Sequence, residues 1–391
     1  MRRPLDVRTM REARERQARR ARRMQDESAM AVPGGPGFVM YVDADRNVQN
    51  TNWIDPNASY GTMQLLAEKY YELAPDNVQF VAVFTSFRIN AIAAFYLPLA
   101  NDVVGIGYKE QGGGRIPDTF DNTGDSPLDG LIMMNAVDEF GGAGTLSTWV
   151  WNQELGHRWG AFVHFLPDGA KKSSDALLGR DLQHWSYFLD TGLSPMEGNR
   201  WHDNGDGTFT TQSIQGSAPY MPFDLYAMGL LAAKDVPPML LVETPMAKMP
   251  DGFNGTVDRS SQPEGGARKV TLAGTARMVT IDQIIAAEGP RVPSVENAPK
   301  EFPIGFLFVV KDGQQAKKTL LDQMQKRVDA AVSGWQTATG GRGHLVIESH
   351  GVYPELNPVG YPCPAGLLQC DPQAATAIVP STISTNSAAV M

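Results

Sequence analysis

After the turn-forming run Pro33-Gly34-Gly35-Pro36, short apolar runs and amphipathic stretches take turns along the chain, which confines it to a mixed α and β architecture. Residues 38–43 and 78–84 read as strands, being short, rich in Val, Phe and Tyr, and bounded by polar turns. Between them Met63, Leu66, Tyr70 and Leu73 recur at helical spacing, so residues 60–73 read as a helix. Residues 103–108 and 131–136 are further strands. The glycine-rich stretch 111–125 is a loop, and its Gly112-Gly113-Gly114 lacks the strand–loop–helix context of a phosphate cradle. Residues 145–165 form a long helix with Thr145 or Ser147 as N-cap. A loop-rich segment follows over 166–222, then a helix over 223–233 and a loop-like stretch over 242–271. The last third reads as a strand (304–310), a long amphipathic helix (315–337) and a strand (343–349).

This pattern divides the chain into a basic arm with its Pro/Gly break (1–36), a first α+β domain (37–235), a C-terminal α/β portion packed on it (236–360) and a tail rich in Pro, Ala, Ser and Thr (361–391). With 391 residues, 42 % of them hydrophobic, the chain has ample material for a large core. Its net charge of −9 argues against nucleic acid as a partner. The arm runs the other way: ten arginines fall between Arg2 and Arg23. Such a stretch reads as a solvated basic arm, with docking to an acidic protein or an anionic surface as the second reading. No apolar run of signal-peptide length follows it, and no stretch approaches the ~18 apolar residues of a membrane span. The cysteines, Cys363 and Cys370, leave the compartment open: a local disulfide suits an exported protein, two thiols a cytoplasmic one. A Cys-only zinc site needs more thiolates than these.

The chemistry concentrates in Trp151-Asn152-Gln153-Glu154-Leu155-Gly156-His157. Two histidines four apart share a helix face and grip one metal ion, and a glutamate beside the first acts as general base. Here Glu154 and His157 hold the second and fifth positions of H-E-x-x-H, and Gln153 holds the first. An amide oxygen is a poor zinc donor beside an imidazole nitrogen, so metal affinity should fall.

Further motifs follow in order. Gly160 stands three residues after His157, His184 lies in Gln-His-Trp-Ser-Tyr, Ser194-Pro195-Met196 is an S-x-M turn, and Asp224 opens a helix that closes in Gly229. The order resembles that of zincin-type, metzincin-like bacterial metallopeptidases with an insertion before the third ligand, as leishmanolysin-like enzymes have. The resemblance covers about residues 130–235. It implies a zincin-like catalytic domain over 37–235, a mixed sheet plus an active-site helix, with residues 131–136 as the edge strand beside the substrate cleft. It also implies zinc held at Gln153, His157 and His184, Glu154 as catalytic base, Met196 as the Met-turn and a peptide or protein substrate.

Alternatives stay open at several positions. His164 falls one residue late for the metzincin third histidine, a displacement of about 100° around the helix. Asp224 is either a helix cap or, as in aspzincins, the third ligand, with Tyr226 beside it as an oxyanion donor. The run Asp203-Asn204-Gly205-Asp206-Gly207 fails the calcium-loop spacing at His202 and reads as a hairpin turn. With Gln153 in place, the two functional readings are an impaired metallopeptidase and a degenerate zincin kept for binding or assembly through its basic arm.

Overall fold

The computed structural model describes residues 37–91, 94–107, 126–213, 218–244, 247–248, 255–264, 269–314 and 316–348. The basic arm, the Gly112-Gly113-Gly114 loop and both cysteines lie outside the described residues. The elements run β1 (Val39–Asp43), α1 (Asn47–Asn50), α2 (Pro56–Leu73), β2 (Phe80–Thr85), β3 (Phe95–Pro98), β4 (Gly130–Ala136) and α3 (Thr145–Gly156). Next come β5 (Trp185–Asp190), β6 (Glu197–Asn199), β7 (Trp201–Asp203), β8 (Thr208–Thr211), α4 (Pro222–Met228), β9 (Met239–Glu243), β10 (Ala247–Lys248) and β11 (Thr256–Val257). The chain then forms β12 (Thr271–Ala273), β13 (Thr275–Val279), α5 (Ile281–Glu288), β14 (Glu301–Lys311), α6 (Lys318–Ala338) and β15 (His344–Ile347). The fold is mixed α+β. Among the described residues no helix is long and apolar enough to cross a membrane.

The main sheet is organised around β14. On one side β2 pairs with it in parallel, and β4 follows in parallel on β2. On the other side β1 runs alongside Leu307 to Lys311 and β15 alongside Glu301 to Ile304, both parallel. The edge beyond β4 is β3, antiparallel, with Phe95 opposite Met133 and Pro98 opposite Gly130.

Side chains alternate across a strand, so a sheet buried on both faces reads as a continuous apolar run. Thus Phe80, Ala82 and Phe84 of β2 join Phe302, Ile304 and Phe306 of β14 in a core with Trp151 and Leu155 of α3 and Trp335 of α6. The alternate residues Val81, Val83, Leu307 and Val309 pack with Met63, Leu66 and Tyr70 of α2 on the opposite face. Gly305 allows α2 its close approach: a Cβ there would stand 2.1 Å from Tyr70 Oη. Gly334 does the same between α6 and α3, where a Cβ would meet Thr148 Cγ2 at 2.2 Å.

Several expectations are corrected. Residues 131–136 belong to an interior strand, and the edge is β3, whose four residues are too short to declare themselves by alternation. The boundary at 235/236 does not separate two stacked units, because β14 sits inside the same sheet as β1 and β2. The long helix stops at Gly156 rather than running to residue 165, since the amides of Trp159 and Gly160 both return to the Gly156 carbonyl and close the ladder. Neither Thr145 nor Ser147 caps it. Gly144 is the N-cap, and the hydroxyls of Ser147 and Thr148 donate to its carbonyl at 3.1 and 3.0 Å. The 166–222 stretch contains β5 to β8, and 103–107 contributes only an isolated bridge from Val104 to Val292. The Asn204-Gly205-Asp206-Gly207 segment is the turn of the β7–β8 hairpin, with Asn204 donating from its amide to the Thr208 carbonyl.

Candidate metal and catalytic site

Helix α3 is buried over almost all of its last two turns, because the sheet lies on one side and α6 and the β5–β6 region on others. An all-round buried helix carries its polar residues inward. Gln153 and Glu154 are therefore both buried, and His157, at the C-cap, projects from the end of the helix toward the segment before β5. That segment carries His184.

The two imidazoles meet edge to face, with ring centroids 4.9 Å apart and planes at 88°. His157 Nδ1 lies 3.2 Å from the Gly160 carbonyl oxygen, and His184 Nδ1 lies 3.1 Å from that of Arg180. A carbonyl only accepts, so each Nδ1 carries the proton and each Nε2 presents a lone pair. Backbone carbonyls on Nδ1 are the usual means of fixing a metal-binding tautomer. Burial pushes His157 down to about 3, with His184 and then Arg180 adding to the shift against the Gly160 hydrogen bond. His184 is lowered too, by burial first and by Arg180, against the opposing pull of Glu197. Both rings are neutral at physiological pH.

Glu154 is pushed up to about 8, chiefly by burial and to a lesser degree by Glu197, while Arg180 and the Tyr96 backbone amide act in the other direction. It therefore keeps its proton at neutral pH. The Tyr96 contact places the Glu154 carboxyl beside the edge strand β3.

Gln153 does not point its amide nitrogen at the histidines. Its Nε2 donates to Glu197 Oε1 at 2.9 Å, and the same oxygen accepts from Arg180 Nη2. Neither Glu197 nor Arg180 stands out in the sequence. The one signal for Glu197 is that it directly follows the S-x-M turn, and for Arg180 that it precedes His184 by four residues.

Met196 is fully buried against the glycine face that ends α3: a Cβ on Gly156 would fall 2.3 Å from its Sδ, and one on Gly160 3.9 Å from its Cε. Asp224 braces this turn. It accepts from Ser194 Oγ at 2.5 Å, Trp185 Nε1 at 2.8 Å and the Met221 amide at 3.1 Å. With these bonds made it links the S-x-M turn, the neighbour of His184 and the start of α4, and does not join the histidines as a ligand. Tyr226 accepts from the Arg291 amide at 2.9 Å. His164 Nδ1 lies 3.1 Å from Glu288 Oε1, which also accepts its backbone amide, so this histidine is anchored on α5.

The arrangement fits a divalent cation only in part. Two imidazole nitrogens are oriented and neutral, as metal binding requires. The position expected to supply the third donor holds a carboxamide whose nitrogen is bonded to Glu197, and among the described residues no group of three His, Cys, Asp or Glu is placed to hold a metal. A catalytic zinc centre needs three good protein donors, and this set falls short by one. No family model matches the chain, and neither a curated protein nor a solved structure matches it.

Proposed function

We propose that this chain is a zincin-type, metzincin-like metallopeptidase scaffold with an impaired metal site. The observation that carries the reading is the edge-to-face pair of His157 and His184, each with Nδ1 committed to a backbone carbonyl and Nε2 left with a lone pair. Met196 packed against Gly156, and Glu154 one residue from Gln153, support it further. Zinc, when bound in such a site, supplies Lewis acidity toward a peptide carbonyl and toward water. The chain's own residues do the rest. His157 and His184 bind, Glu154 holds a proton on its carboxyl, and β3, at the edge of the sheet beyond β4, is the strand along which an extended peptide would lie.

The test is zinc per chain by elemental analysis with cleavage of a labelled, casein-like substrate. The chain as it stands should hold sub-stoichiometric zinc and show little or no turnover. Gln153→His should raise zinc toward one per chain and bring hydrolysis, and Glu154→Gln in that background should keep the metal and abolish turnover. Full occupancy with chelator-sensitive proteolysis by the unmodified chain would show that the site is not impaired.

A second reading, a degenerate zincin serving for binding, is favoured by the engagement of the Gln153 amide with Glu197. It requires that Gln153→His bind zinc without acquiring turnover.

A further inference from the structure

Strands β1, β14, β2 and β4 are parallel, so their carboxyl ends share one side of the sheet, and α2 and α3 cover opposite faces. In sheets of this kind ligands gather outside the carboxyl ends, and phosphates sit where a glycine-rich turn opens a helix. Here β4 leads into α3 through residues 137–144, which finish in Gly141-Gly142-Ala143-Gly144. The N-terminus of α3 is uncapped. Its N-cap, Gly144, has no side chain to accept from the first-turn amides, and no acidic residue stands in that turn. Ser147 and Thr148 donate their hydroxyls to the Gly144 carbonyl and so cap nothing. Residues 143–146 are exposed, which leaves the positive end of the helix facing solvent.

A second, independent observation comes from α6. Arg327 is only 4 % exposed, and its Nη1 donates to the Gly142 carbonyl, two residues before the N-cap. The face of its guanidinium lies over Phe84, with Cζ 5.1 Å from the ring centroid. Its Nε and Nη2 have no hydrogen-bond partner. Those two nitrogens form one side of the guanidinium fork, the side that grips two oxygens of a single oxyanion. Neither acid of the loop bonds to it: Glu139 pairs with Arg88 at 3.2 Å, and Asp138 is exposed.

We propose that the β4–α3 loop binds a phosphate group, with two oxygens on the Nε–Nη2 side of Arg327 and a third on the first-turn amides of α3. A P-loop places a lysine directly after its glycines. Here Thr145 follows them, and α6 supplies the cation instead. A tetrahedral anion suits the arrangement better than a planar carboxylate, because it presents oxygens to the arginine and to the helix at once. A Cβ on Gly141 or Gly142 would meet nothing within 4 Å, so the loop has room to readjust as the anion reaches the buried guanidinium. The inference is independent of the histidine pair, which lies beyond the other end of α3.

Calorimetric titration of the full chain with sodium phosphate, against sodium chloride at equal ionic strength, reads the site. Gly144→Asp puts a carboxylate at the N-cap, where it accepts from the first-turn amides itself and repels the anion. The backbone there is extended (φ −89°, ψ −179°), and an added Cβ comes no closer than 3.4 Å to the Gly141 carbonyl oxygen. This variant should melt no lower than the parent and bind phosphate at least tenfold more weakly. Arg327→Gln should weaken phosphate at least tenfold, and Arg327→Lys, which keeps the charge without the fork, should fall between. Thermal melts verify folding, and if Arg327→Gln does not fold, Gly144→Asp decides. Phosphate bound equally by the parent and Gly144→Asp, as the arginine-rich arm would bind it, overturns the proposal. So does a folded Arg327→Gln that binds like the parent, or a parent that shows no heat beyond the chloride control.

Discussion

At Asp224 two physical effects pull against each other. Three donors favour its charged form, from Ser194, Trp185 and Met221, but complete burial pushes the carboxyl up to about 6. An unfolded aspartate titrates near 4, so folding favours the protonated form. That contribution is fully present below pH 4 and is lost as pH rises through about 6, a change on the order of 3 kcal/mol. Asp224→Asn cannot titrate, but it turns an amide N–H toward one of these donors, at a cost of about 1–3 kcal/mol. Denaturant unfolding between pH 4 and 7.5 should therefore show the variant less stable at pH 4, with the difference narrowing toward pH 7. Parallel pH profiles for the two proteins would show that Asp224 is ionised throughout.

The contact between α3 and the turn before β6 is fixed by absence of a side chain. A methyl on Gly156 would stand 2.3 Å from Met196 Sδ and 3.3 Å from Tyr220 Cε1, and Met196 is fully buried with nowhere to retreat. Gly156→Ala gains up to about 1 kcal/mol of helix propensity against about 1–3 kcal/mol or more for overpacking, so it should lower the melting temperature. Met196→Ala opens a cavity and costs about 2–5 kcal/mol by itself. The double variant should be more stable than the sum of the two losses, and strict additivity in a double-mutant cycle would refute the contact. The same region marks where the sequence stops being informative. Strands β2 and β14 are legible because burial on both faces makes them continuous apolar runs, and α2 and α6 because apolar residues return at helical spacing. Gln153, Glu154 and His157 follow from spacing on one helix, and His184 from its chemistry. The end of α3 is not legible, since it depends on amides of Trp159 and Gly160 reaching back to Gly156. The Arg180–Glu197 pair is not legible either, because two side chains meeting from segments far apart in sequence leave no periodic trace. Nor is the identity of the edge strand, which depends on the order of strands in space.

Across the whole molecule, β14 is the strand around which the main sheet is built. It holds β1 and β15 on one flank and β2 on the other, and both cores draw on its side chains. Ending the chain at residue 300 should therefore not yield a smaller folded domain. Such a fragment should lack a cooperative melt and be cut rapidly by protease, and a sharp two-state transition would instead support an independent unit over 37–235. The placement of β14 has a consequence for biosynthesis. At about 5–20 residues per second, a ribosome that has finished β4 needs on the order of ten seconds to deliver β14. During that interval β2, apolar from Phe80 to Phe84, displays an unpaired strand edge, the type of surface that templates association between chains. Nascent chains of this protein are thus most adhesive while β2 waits for its neighbour, and chaperone dependence should be concentrated in that window.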